Sequence, residues 1–370
     1  AFVLGKGSPT APLFHFWRRL LFLAKIMTRI IGWDIGGAHI KAALAEEGRL
    51  VAVAQRPCAP HAGLAYLEQP LREMAAELGR AARHRVTMTA ELSDAFENRA
   101  RGVLSIAAIC AREIGAGDLA FYAGAQGLVA RDAISAVAEQ VASMNWRISA
   151  EFAAQHAAQA LFIDIGSTTS DIIPIRNGAV AARGATDAAR LASGELAYAG
   201  FSRGAPQAYA ARAPIDGRWT PLVNEAFAAM ADVRRLTGDL PEGDSRADLS
   251  PTADGRPRTR VASAARLARL VGLDAEQLSA AQIDAFAQYL AQAQLRVIED
   301  QIALALSYAP LAPDAPFIGA GVGRALVARL AQAQGRAYRD FASLVAAPDA
   351  LQMAAADCAP AAALALLVAP

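Results

Sequence analysis

The chain has 370 residues, more than one hydrophobic core usually serves, so two lobes are the default expectation. Its 36 basic residues against 35 acidic ones leave a net charge of +1, which gives no long-range field to draw nucleic acid or an anionic membrane and points instead to a small, locally recognised partner. Hydrophobic residues make up 54% and aromatics only 6%; much of the apolar content is alanine, which predicts more helix than strand.

In chain order, residues 1–26 come first. The apolar run 13–24 is broken by His15, Arg18 and Arg19, is too short to span a bilayer, and lacks the layout of a secretory signal. An unstructured or docked extension is expected there in preference to a membrane-surface helix, with Met27 as the natural beginning. Next come a short apolar strand at 30–34, a glycine turn at Gly36 and Gly37, and strands at 39–45 and 50–55, which together read as a meander. Helical spacing of Leu64, Leu67, Leu71, Met74 and Leu78 predicts a helix over 64–82, and 86–89 reads as a short strand. Ser93 is the expected N-cap of the following helix, with Asp94 and Glu97 in its first turns. After a strand at 119–122 and two helices the opening pattern returns: a strand at 160–164, a polar turn at 166–169, a strand at 171–175 and another at 179–182. Aligned on Asp34 and Asp164, GWDIGGAHIKAAL and FIDIGSTTSDIIP read as two copies of one device, a distant internal repeat. Helices are predicted at 188–197, 221–236, 262–270 and 280–307, with a polar surface loop over 238–260. A last strand at 316–319 enters a glycine turn at Gly319, Gly321 and Gly323, followed by a helix at 324–333 and an alanine-leucine helix at the end. The domain reading is an extension at 1–26, a first lobe at 27–158, and a second at 159–370 with a helical insertion.

Cys58, Cys110 and Cys358 form an odd, widely spaced set without C-x-x-C. That argues against a disulfide framework or a thiolate zinc site and makes a reducing cytoplasm the natural setting.

Each glycine turn directly follows an apolar strand. Gly36 and Gly37 after Asp34 allow the sharp turn that brings backbone N–H groups toward an oxyanion. Gly166, Ser167, Thr168 and Thr169 after Asp164 add hydroxyl donors, a fuller phosphate cradle. Asp34 and Asp164, brought together from opposite lobes, suit Mg2+, which keeps most of its waters and takes one or two carboxylates plus phosphate oxygens. Each turn by itself reads as well as an ordinary hairpin.

The series D-x-G-G-x-x-x-K, D-x-G-S-T-T-x-D and G-A-G-x-G resembles the two phosphate motifs and the adenosine motif of the acetate kinase, sugar kinase, Hsp70 and actin superfamily. That likeness implies an α/β, two-lobed, actin-like ATPase (ribonuclease H-like) fold around a central cleft, with the glycines at 319, 321 and 323 on a nucleotide. The segments GWDIGGAHIK, TMTAELSDAF, LFIDIGSTTSDIIPI, GATDAARLASGELAYAG, FAAMADVRRLTGDL, TADG and FIGAGVG resemble, more narrowly, the hydantoinase and oxoprolinase family and its subgroup found with tetrahydromethanopterin-linked one-carbon metabolism. The resemblance implies a condensation in which an aminomethylfuran diphosphate loses diphosphate to the phenol oxygen of a glutamylated tyramine or tyrosine. Two departures stand out: FSRGAPQ replaces a more regular arginine, threonine and proline turn, and Ala38 removes a hydroxyl that kinases of this fold often carry.

On that reading Mg2+ at Asp34 and Asp164, with Lys41 and the turn amides, stabilises the leaving diphosphate, and Glu91 or Asp94 takes the phenol proton. Lys41 reads equally as a surface strand residue and Asp94 as part of a helix cap. Asp187, with Glu195 near the same face of one predicted helix, joins the catalytic candidates against the blander reading of a solvated face. The broader family leaves open an ATP-dependent amidohydrolase, a small-molecule kinase or a nucleotide-binding module. The expected partners are a diphosphate substrate and a phenolic acceptor, with ATP and a homo-oligomer compatible with the fold.

Overall fold

A computed structural model describes residues 29–79, 83–115 and 117–367. The expectation for residues 1–26, and for Met27 as the beginning, lies outside the described residues.

Three consecutive strands, β1 (Ile30–Ile35), β2 (His39–Glu46) and β3 (Arg49–Pro57), form the meander. β4 (Arg83–Met88) then joins β1 in parallel and β5 (Asp118–Tyr122) joins β4, with β6 (Leu128–Ala130) at the edge. The sheet order is β3-β2-β1-β4-β5-β6. The second sheet repeats the plan. β7 (Gln159–Ile165) and β8 (Ser170–Arg176) make the hairpin, β9 (Ala179–Val180) and β10 (Leu196–Ala197) pair with β8, and β13 (Phe317–Ala320) joins β7 in parallel with β14 (Tyr338–Asp340) beyond it. This duplicated mixed sheet is the ribonuclease H-like α/β architecture. A separate ribbon of β11 (Arg212–Ile215) and β12 (Arg218–Pro221) belongs to the insertion.

The helices in order are α1 (Ala65–Leu78), α2 (Arg99–Glu113), α3 (Ala138–Val141), α4 (Asn145–Ala154), α5 (Asp187–Ser193), α6 (Met230–Thr237), α7 (Arg260–Arg269), α8 (Ala280–Tyr308), α9 (Arg324–Ala333), α10 (Asp349–Asp357) and α11 (Ala359–Leu366). β1 is buried along its whole length because helices cover both faces of its sheet, which is why it reads as a continuous apolar run. α1 and α2 cover one face, where Leu67, Leu71, Val103 and Ile106 meet Ile31 and Trp33. α11 covers the other. Its alanines share one core with Ala43 and Leu50 of the first sheet and Phe162, Ile173 and Ile318 of the second, so the final helix is a wedge between the sheets. Gly32 makes the close approach: a Cβ there would lie 2.1 Å from the Ala361 carbonyl oxygen.

Three local expectations are corrected. Ser93 does not cap α2; Asn98 does, its side chain accepting from the Arg101 N–H, and Asp94 and Glu97 lie in the turn before it. The helix over 188–197 ends at Ser193 because Gly194 takes a left-handed φ of 80°, so Glu195 lies beyond it. The helix over 221–236 splits into the end of β12, a loop and α6, because Asp232 accepts from the Ala229 N–H and starts the helix only there. The expected surface loop over 238–260 is present, and it is anchored by charge: Asp248 pairs with Arg235 at 2.7 Å, while Asp254 and Asp232 each hold Arg266 at 2.8 Å. Arg234, Arg235 and Arg266 are 0%, 1% and 0% exposed, so the loop is tied to an internal ion network.

Candidate active site

The two hairpins are built alike, bond for bond. Gly36 N–H donates to the His39 carbonyl at 3.0 Å, and Gly166 N–H to the Thr169 carbonyl at 2.9 Å. Asp34 stands opposite Lys41 in the β1/β2 register, and Asp164 opposite Asp171 in β7/β8. In each turn the carbonyls are taken by a neighbouring segment. Cys58 donates its N–H to Ala38 and its thiol to Gly36, while Gly200, Phe201, Ser202 and Arg203 donate to Thr168, Gly166 and Ser167. The amides of Gly37, Ala38, Ser167, Thr168 and Thr169 are given no protein acceptor among the described residues. Carbonyls held back and amides left free is the arrangement that receives an anion.

Both turns line one cavity of about 240 Å³ that also takes in Asp34, Lys41, Asp164, Asp171, Asp187 and Arg190. Burial pushes the Asp34 carboxyl up to about 6, opposed by Lys41 and assisted by Asp171. Burial likewise pushes Asp164 up to about 7, with Lys41 opposing and Asp171, Asp34 and Asp357 assisting. Asp34 Oδ1 is buried without a hydrogen-bond partner. Two desolvated carboxylates, one with an orphaned oxygen, beside free amides fit a hydrated divalent cation bridging to phosphate. No cluster of three or more His, Cys, Asp and Glu side chains among the described residues is placed to hold an ion alone, so the remaining ligands would be water and substrate.

Lys41 donates from Nζ to the Asp357 carbonyl at 2.9 Å. Burial works against its charge, but Cys358, Asp34, Asp164 and Asp357 outweigh that and raise its pKa, so it remains a cation facing the carboxylates. Arg190, only 2% exposed, binds Asp171 at 2.5 Å and lies 4.2 Å over the Trp146 ring. Arg203, at the cavity mouth, reaches Thr168 Oγ1 at 3.4 Å. Neither arginine was among the candidate site residues, although Arg190 falls inside the GATDAARLASGELAYAG segment and Arg203 inside FSRGAPQ.

Of the acid-base candidates, Asp94 is exposed and does not line the cavity. Glu91 is 1% exposed and sits one shell behind the wall, covered by Ser143, which does line it. Ser143 Oγ donates to Glu91 Oε1 at 2.8 Å and accepts from Arg99 Nη2 at 2.6 Å. The same Nη2 reaches Asp187 Oδ2 at 2.9 Å, joining α2 of the first half to α5 of the second. Gly102 lets α2 press onto this carboxylate, since a Cβ there would lie 2.8 Å from Glu91 Cβ. Asp187 thus faces the cavity, while Glu195 is buried elsewhere, accepting from the Arg183 and Gly184 amides and from Tyr308.

The glycines at 319, 321 and 323 do not line this cavity. Gly319 lies under Tyr338, a Cβ at Gly321 would meet Asp164 Oδ1, and one at Gly323 would meet Ile165, so the last two let the loop after β13 clamp the end of β7. A neighbouring cavity of about 420 Å³, lined by Val322, Arg324, Leu240 and Tyr338, opens beyond them.

The model of the family described as hydantoinase/oxoprolinase matches residues 83–360. The chain belongs to the hydantoinase/oxoprolinase family. This member of the family is 29% identical over 218 residues to the (4-{4-[2-(gamma-L-glutamylamino)ethyl]phenoxymethyl}furan-2-yl)methanamine synthase of Methanocaldococcus jannaschii, a match covering 59% of this chain and 64% of that protein. The synthase of the same name from Methanococcus vannielii is 33% identical over 132 residues, covering 35% of this chain and 58% of that protein. The matches therefore span less than two thirds of either relative's length. Among solved structures, component A of the Acidaminococcus fermentans (R)-2-hydroxyglutaryl-CoA dehydratase aligns with a TM-score of 0.45 at 13% identity, over 92% of this chain and 96% of that one. A ROK family glucokinase from Streptomyces griseus aligns with a TM-score of 0.46 at 16% identity, over 91% and 98%. No helix among the described residues of this family member is long and apolar enough to cross a membrane.

Proposed function

We propose that the chain is a magnesium-dependent transferase that joins an aminomethylfuran diphosphate to the phenol of a glutamylated tyramine or tyrosine, with loss of diphosphate. The observation that carries it is the pair of like-built hairpins that set Asp34 and Asp164, with two rows of unclaimed amides, in one cavity. The relatives' printed name supplies the chemistry: its product holds an aryl ether between a glutamylated tyramine and a furan methylene.

The bond from the furan methylene to the diphosphate oxygen breaks, and the bond from the phenol oxygen to the same carbon forms. Asp34 and Asp164 would hold Mg2+, which supplies charge neutralisation for the departing diphosphate. Lys41, Arg203 and the turn amides receive the developing negative charge in a water-poor site, where fixed donors count for more than in bulk solvent. Glu91 ends with the phenol proton.

The test is to combine purified protein, Mg2+, the furan diphosphate and γ-glutamyltyramine or γ-glutamyltyrosine, and to follow ether and pyrophosphate together by mass spectrometry. Coupled appearance of both, abolished by chelation and lowered at least about a hundredfold in Asp164→Asn, is the expected result. Absence of ether with both acceptors overturns the reading. The cavity beside Val322 and Arg324 favours one alternative, an ATP-dependent amidohydrolase with the nucleotide's base in that space. ATP cleavage that requires a cyclic amide would establish it in place of the transferase.

A further inference from the structure

Ser143 occupies a backbone conformation that its residue type disfavours. It sits between α3 and α4 with a φ of 53°, in the left-handed region that glycine enters freely and serine rarely does. Such strain persists where surrounding structure fixes it, and it concentrates at functional sites. The side chain that the strained turn carries is 5% exposed, lines the cavity, and stands between the cavity and Glu91. Glu91 has no face of its own on that cavity, and its Oε2 is buried without a partner.

The hydrogen bonds give the hydroxyl a direction. Its single proton points to Glu91 Oε1, and one of its two lone pairs takes the Arg99 Nη2–H. One lone pair remains for a donor in the cavity. The charged groups that face Glu91 are Arg99 from α2, 3.6 Å away, and Asp187 from α5, which Arg99 also binds. With Arg99 holding the oxygen, the hydroxyl is oriented before any substrate enters.

Resting on the transferase reading above, we propose that Ser143 is a catalytic proton relay: it accepts the phenol proton of the acceptor as it passes its own proton to Glu91. The balance is closed. The phenol O–H bond breaks as a new Ser143 O–H bond forms, the old Ser143 O–H bond breaks as Glu91 becomes a neutral carboxylic acid, and the phenol oxygen keeps the electron pair that attacks the furan methylene. After diphosphate leaves, Glu91 returns its proton along the same path to solvent. The relay explains how a buried carboxylate with no access to substrate acts on it, and why serine rather than glycine stands at a strained position.

Two variants separate relay from scaffold. Ser143→Gly removes the hydroxyl and relieves the backbone, and Ser143→Ala removes the hydroxyl and keeps the strain. Both are expected to lower kcat roughly a hundredfold or more, with the KM for the furan diphosphate unchanged. Ser143→Gly is expected to melt no lower than the parent chain. The wild-type solvent isotope effect is expected to need two protons in flight in mixed light and heavy water, and both variants to lose the rise of kcat with pH that Glu91 sets. A Ser143→Gly enzyme that keeps its kcat, or a proton inventory linear in deuterium content, overturns the relay while leaving the transferase intact. A wild-type chain that forms no ether from either acceptor removes both.

Discussion

At the scale of the residue, Glu91 is, with Asp34 and Asp164, one of the carboxyls at the site that burial makes weak acids. Burial pushes its carboxyl from 4.5 up to about 7, with the Ser143 hydroxyl and Arg99 opposing and Asp187 assisting. A carboxyl that is a weaker acid folded than unfolded favours folding fully below its unfolded pKa, and that advantage is lost as the pH rises through the folded one. Ionised Glu91 therefore costs the fold on the order of 1–3 kcal/mol above neutrality. Glu91→Gln removes that cost. Its melting temperature is expected to match the parent's near pH 4.5 and to exceed it at pH 8, as thermal melts across the range will show; equal melting temperatures at both ends would contradict the buried ionisation. The same substitution is expected to abolish the rise of kcat through pH 7, because only the ionised carboxylate accepts a proton.

At the scale of the element, α11 shows what alanine does in this chain. A helix of small side chains lies between two sheets and touches both without forcing them apart, so the alanine-rich composition is a packing requirement. Gly32 on β1 and Ala361 on α11 meet where no Cβ fits. Gly32→Ala is expected to destabilise by roughly 1–3 kcal/mol or more, since neither a central strand nor a wedged helix has room to yield. Chemical denaturation measures it, and an unchanged midpoint would mean that α11 shifts freely. The cap of α2 gives a smaller effect. Asn98→Ala is expected to cost about 1 kcal/mol by leaving the Arg101 amide without its acceptor, whereas Ser93→Ala, at the position the spacing favoured, is expected to cost little.

At the scale of the whole molecule, the cavity belongs to neither half. Arg99 from one half and Asp187 from the other close a pair across its edge at 2.9 Å. Arg99 is over a third exposed, so the pair is worth less than about 1 kcal/mol of stability after screening by solvent. Its larger expected consequence is geometric: besides the core shared through α11, it would help to hold the α2 and α5 sides of the cavity together. Asp187→Asn is expected to leave the melting temperature within a few degrees while widening the ligand-free ensemble in small-angle scattering. An unchanged radius of gyration would assign the pair no part in closure.

The sequence by itself determined the pieces whose physics is local. The hairpins at Asp34 and Asp164 were legible because a buried strand, a glycine turn and a second strand each leave their own mark over a few residues, and the two segments repeat one pattern. The long helix α8 was legible too, expected over 280–307 and found over Ala280–Tyr308, where Ser279 caps it. Tertiary structure decided the rest. Glu91 and Ser143 meet only because α2 and the turn before α4 pack against the same short segment, and no spacing rule connects residues so far apart. Asp94 looked like Glu91's equal in TAELSD, yet Glu91 faces the interior and Asp94 solvent, since the 3-10 turn that buries Glu91 ends at Leu92 and the extended Ser93 leads the chain outward before Asp94. The glycines at 319, 321 and 323 read as ligand contacts, whereas the packing places them against β7 and Tyr338. A glycine marks only that something comes close, and the fold alone determines whether that something is a phosphate or another strand.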